Sequence, residues 1–167
     1  VEIMRVLPLA LLALMSSPAL ADGLLRDLST LQVNTARLGP GQWEFRLEPD
    51  RATFFCLGCA GNAMIDVKTG RQNDGTEGRV RSGETSFETL EAQCQARDPS
   101  CKLEGLDLGP AVGWMTSYGV GSQAAHTIVV IRDGDLITAR VLGSDAGTTR
   151  QTADAVVAQI LPAIIGE

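Results

Sequence analysis

The sequence predicts an α+β fold: an antiparallel β-sheet with helices packed on its faces, a C-terminal amphipathic helix and disulfide support. Three observations predict it. Residues 63–68 show the two-residue period of a strand, and residues 126–142 read as two strands folded about Asp133-Gly134. Residues 85–94 and 153–164 carry apolar side chains at helical spacing. Four cysteines, an even number, follow a start that reads as an export signal.

The elements follow in chain order. Met4-Arg5, the apolar run Val6–Met15 and the small-x-small site Ala19-Leu20-Ala21 are the three parts of a secretory signal, with cleavage expected after Ala21 and a short extension ahead of Met4. The apolar run is too short to span a bilayer. Residues 22–167 are then expected to form one globular α+β domain in the periplasm, a compartment where disulfides persist. The formal charge is −6, and the charged residues form no basic stripe, which argues against nucleic acid as a partner. No later run is long enough for an integral membrane segment.

Leu24, Leu25, Leu28 and Leu31 predict a short amphipathic helix within residues 22–38. Gln42–Leu47 and Ala52–Cys56 read as strands joined by the turn Glu48-Pro49-Asp50-Arg51. Ala63, Ile65 and Val67 alternate with Met64, Asp66 and Lys68, so a further strand follows Cys59. Residues 69–83 read as a loop, with Gly78–Arg81 as a short segment pairing at a sheet edge. Thr85 and Glu88 stand at capping-box spacing and start a helix that carries Phe87, Leu90 and Cys94 on one face, Cys94 towards the core, and stops at Asp98-Pro99.

Val112–Tyr118 reads as a strand joined through a Gly119–Ala125 loop to His126–Arg132. Asp133-Gly134 then makes a two-residue hairpin that sets Ile131 opposite Leu136 and Val130 opposite Ile137. Both faces of Thr127–Ile131 are apolar, which places that strand in the middle of the sheet. The terminal helix carries Ala153, Val156, Val157, Ile160, Leu161 and Ile164 inward, and Pro162 is expected to kink it or end it early. The stretches "HTIVVIRDGDLITARVLG" and "RQTADAVVAQILPAI" resemble the PsbP-type α+β sandwich, a domain of small exported proteins in bacteria and plastids. That resemblance covers the last third of the chain and implies a fold without a mechanism.

Cys56-Leu57-Gly58-Cys59 is the stretch with most chemical potential. A thioredoxin-type pair sits at a helix N-terminus, whereas strand-like residues flank this one. Covalent haem needs histidine at position 60, which is Ala60. A zinc or copper site formed by Cys56, Cys59, Cys94 and Cys101 is the alternative ligand set, although six residues between the last two depart from knuckle spacing. The reading preferred over these is two structural disulfides among the four cysteines. Three connectivities are open, and loop entropy favours a long link, at about 4 kcal/mol against about 2 for a short one.

Arg79 and Arg81, with Arg71, are candidate anion ligands beside the helix start at Thr85, although a solvated charged loop balanced by Asp74, Glu77 and Glu84 is the plainer reading. Asn73-Asp74-Gly75 with Glu77 lacks EF-hand spacing and reads as a turn. Ser122 lacks a nucleophile elbow, and the sole histidine, His126, is expected at the surface and not as a ligand. Trp43, Trp114 and Tyr118 read as core or sheet-face residues. The sequence therefore predicts a non-catalytic binding or accessory protein with no cofactor, whose partner is another protein or a small anion. The alternative is thiol-disulfide or metal handling at Cys56 and Cys59.

Overall fold

The computed structural model describes residues 23–166. The expected signal segment, residues 1–21, lies outside the described residues. Among the described residues seven antiparallel strands form one sheet: β1 (Gln42–Leu47), β2 (Arg51–Leu57), β3 (Met64–Arg71), β4 (Lys102–Leu108), β5 (Ala111–Val120), β6 (Gln123–Arg132) and β7 (Asp135–Gly143). Their order is β1-β2-β3-β7-β6-β5-β4. Two meanders are thus zipped together along β3 and β7. The sheet dominates the α+β architecture.

The β6–β7 hairpin has the expected register, Ile131 opposite Leu136 and Val130 opposite Ile137. Asp133 and Gly134 both take positive φ, as a two-residue turn of this hand requires. The β5–β6 connection is tighter than the expected Gly119–Ala125 loop. Both strands run on until only Gly121-Ser122 remains, with Gly121 at φ 60° in the first turn position.

One sheet face carries Phe54, Ile65, Val67, Ile137, Ala139, Val141, Ile128, Val130 and Met115, all buried. The terminal helix covers it. It consists of α3 (Ala146–Ala155), a π-helical stretch Val156–Ile160 and α4 (Leu161–Ile165), and it buries Ala153, Val156, Ile160, Leu161 and Ile164. Asp145 caps it by accepting from Thr148 N at 2.7 Å. Pro162 does not end the helix as expected. The π turn just before it accommodates the ring and the missing N–H that would disrupt an α-turn.

Four further expectations are corrected. Residues 23–38 do not form the expected single helix but two 3₁₀ turns, Leu28–Thr30 and Thr35–Arg37, because Asp27 and Asn34 accept from the N–H two residues on and divert the backbone. Their leucines are nevertheless core, with Leu24, Leu28, Leu31 and Leu38 all buried. Gly78–Arg81 is no edge strand. It belongs to α1 (Thr76–Arg81), opened by Asp74, which accepts from Thr76 N, and laced by the Arg81–Glu77 pair.

The next helix, α2 (Phe87–Gln95), starts one residue later than expected. Ser86, not Thr85, caps it by accepting from Thr89 N. Cys94 is half-buried on the outer side of the sheet and not in the core. Helix α2 packs on β4 and β5, so among the described residues helical cover of the second face lies at that end. No helix among the described residues is long and apolar enough to cross a membrane.

Candidate functional site

The cysteines form two short-range disulfides, Cys56–Cys59 and Cys94–Cys101, with Cα separations of 5.7 and 5.9 Å. The long link favoured by loop entropy is not made. Cys56 stands on β2 and Cys101 precedes β4, five strands away, which at the usual strand spacing is roughly 24 Å of sheet. The four sulfurs are therefore not brought together as one ligand set. Cys101 is fully buried, and its bond fastens the end of α2 to the start of β4.

The Cys56–Cys59 turn leaves the end of β2 and is held on three sides. Cys56 N–H still donates to Ala63 O at 2.9 Å, so the strand ladder continues into the turn. Ser144 N donates to Gly61 O at 2.9 Å, which ties the turn to the start of the terminal helix. Gly41, at φ 118°, lies against the disulfide so closely that a Cβ there would sit 2.6 Å from both sulfurs. The two sulfurs differ in access. Cys56 is buried, whereas Cys59 is half-exposed and lines a cleft of about 180 Å³ with Arg37, Pro40, Trp43 and Gln151.

The uncovered part of the second sheet face has its own pattern. The registers of five strands set Phe55, Met64, Leu142, Ala125 and Tyr118 in one transverse row. Phe55 is 46 % exposed and Leu57, two residues along β2, 49 %. Val120, two residues along β5 from Tyr118, is also exposed. The next row inward is polar, Thr53, Asp66, Arg140, Thr127 and Thr116, with Arg51 bound to Asp66 at 2.6 Å. On the outer side, Gln42 lies opposite Leu57 and Gln123 opposite Val120. An apolar band crosses the open face, with a polar row on its inner side and a mixed row, Gln42, Leu57, Gln123 and Val120, on its outer side.

The arginines expected to hold an anion have other partners in the structure. Arg79 donates to Asp74 O and to Thr76 Oγ1, and Arg81 donates to Glu77 and to Pro110 O. Burial pushes the Glu77 carboxyl up, but donors from Arg81 and from the Gly134 and Asp133 N–H groups outweigh it and hold the pKa below the usual range. The Thr76 hydroxyl and N–H hold Asp74 down to about 2. Arg71 points elsewhere, to Asp135.

His126 is a correction. It is buried beneath the terminal helix and not at the surface, because β6 begins at Gln123 and places His126 on the covered face opposite Ser117. Ser117 Oγ and His126 Nδ1 are 2.7 Å apart. Ser122 lies in the β5–β6 turn. Neither the Ser117–His126 pair nor the row across the open face could be read from local pattern, since both depend on register between strands. Comparison with known proteins returns no matching family model and no matching curated sequence.

Proposed function

We propose that this chain is an exported, non-catalytic binding or accessory protein, that its two disulfides are structural, and that it engages a protein partner through the open face of its sheet. The apolar row Phe55–Met64–Leu142–Tyr118 carries the proposal. The row is exposed at Phe55, half-buried at Met64, Leu142 and Tyr118 and buried at Ala125, and an apolar centre beside polar residues is the anatomy of an interface. The likeness to PsbP-type domains, read from the last third of the chain, belongs to this proposal, as does cleavage after Ala21. Intact mass of the chain recovered from the periplasm checks the export step, with Asp22 expected as the first residue.

A photo-reactive phenylalanine analogue at position 55 tests the binding face, with the same group at Arg46, on the same face but at its polar edge, as control. One discrete protein adduct from position 55, absent from position 46 and lost in Leu142→Asp, is expected. Equal adducts from both positions, or none from position 55, would sink the assignment.

The half-exposed Cys59 favours one second reading, thiol-disulfide exchange. An external thiolate would attack Cys59 Sγ, form a mixed disulfide there and release Cys56 as the thiolate. Alkylation after mild glutathione treatment separates the two readings. Structural bonds leave all four cysteines unlabelled, whereas an exchanging pair exposes Cys56 and Cys59 only.

A further inference from the structure

Asp135 opens β7 on the helix-covered face, with its side chain only 5 % exposed. A buried carboxylate needs partners, and two arginines supply them. Arg71, directly opposite on β3, donates through Nη1, and Arg26, on the arm that precedes the sheet, donates through Nε at 2.8 Å. Two guanidinium groups, on side chains 71 % and 54 % exposed, thus meet one carboxylate, which among the described residues leaves one positive charge in excess. Among the described residues, Nη1 and Nη2 of Arg26 have no acceptor, and Nη2 of Arg71 reaches only Asn73 Oδ1 at 3.5 Å.

Both arginines line a cavity of about 240 Å³ whose other walls include Leu24, Leu25, Leu136 and Ile137. Planar donors with unused N–H groups suit a carboxylate, which can take two parallel hydrogen bonds from one guanidinium. The leucine walls suit a short aliphatic chain, which leaves water on entering. A pocket with mostly apolar walls and a few convergent polar groups is the usual form of a small-molecule site. The geometry points to a binding site for a small aliphatic carboxylate at Arg26 and Arg71. This site is separate from the apolar row and from both disulfides, so it stands or falls independently of them. Unlike Arg79 and Arg81 on α1, Arg26 and Arg71 converge on one cavity, where β3 ends and β7 begins.

Titration of the whole chain with hexanoate, hexanol and acetate, followed through the methyl resonances of Leu24, Leu25 and Leu136, tests the site. Hexanoate is expected to give saturable shifts with a Kd of roughly 1 mM or tighter, the range open to so few atoms. Hexanol, which lacks the charge, and acetate, which lacks the chain, should each bind at least about tenfold more weakly. Arg26→Gln should weaken hexanoate at least about tenfold, and Arg26→Lys should recover only part of the loss, because an ammonium lacks the planar fork. Arg26→Gln leaves Arg71 on Asp135, so the buried charge keeps a partner. The ligand series needs no variant and decides the matter even where Arg26→Gln disturbs the arm. No saturable shift with hexanoate, equal binding of hexanol, or full binding by a folded Arg26→Gln protein would overturn the assignment.

Discussion

His126 links strand register to pH. The residue is 6 % exposed, shares a hydrogen bond with Ser117, and lies near Arg150 of α3. Burial lowers its pKa first and Arg150 adds to the effect, while Asp154 and Glu104 oppose it. A basic group whose pKa is lower in the folded state than its free value of 6.5 takes up more protons when unfolded. Its stabilising contribution is therefore complete above 6.5 and is lost as pH falls from there towards the folded pKa. The urea midpoint of the wild type should drop between about pH 7.5 and about pH 5.5, and His126→Gln should drop less over the same interval. Equal drops in the two proteins would show that the burial of His126 has no thermodynamic weight.

The packing of α2 turns on Gly105. A Cβ at this position of β4 would come within 2.7 Å of the Phe87 Cδ2 atom, so the ring lies directly on the strand backbone. Gly105→Val should destabilise by about 1–3 kcal/mol through overpacking. Phe87→Ala should relieve part of that cost, which a double-mutant cycle by urea unfolding would register as coupling between the two sites. Additive losses would mean that α2 is held from elsewhere. The same contact explains why β4 was not legible. Lys102–Leu108 has a glycine at its centre and two acids, and only its long-range pairing with β5 and the ring above it make it a strand.

Helix α1 was hidden for a similar reason. It is short, and Glu77 is fixed by Gly134 N at 3.1 Å from 57 residues away, a contact no local window contains. The strands β2, β3 and β7 were legible because their burial follows the side-chain period, and the β6–β7 register because turn chemistry sets it. The arm at residues 24–38 was half legible. Its leucines announced burial, but the Asp27 and Asn34 caps decided the backbone.

At the scale of the molecule, the disulfides show where an entropy argument ends and topology takes over. A long bond constrains the unfolded chain more than a short one, yet a bond can form only between cysteines the fold places together. The sheet puts the two pairs at nearly opposite edges, so each closes locally, over sequence separations of 3 and 7. Each is then worth about 2–2.5 kcal/mol by loop entropy, and neither ties the two meanders together. That task falls to the β3–β7 ladder and to the terminal helix. Cys94→Ser/Cys101→Ser should therefore remain folded, with a loss of about 2.5 kcal/mol in urea unfolding. A tryptic map without reductant checks the pairing. Ala52–Lys68 should appear alone, two hydrogens lighter than its reduced mass, and Ser82–Arg97 should be joined to Asp98–Lys102. A fragment joining Ala52–Lys68 to either of the other two would mean that a bond spans the sheet, and the strand order would then have to be wrong.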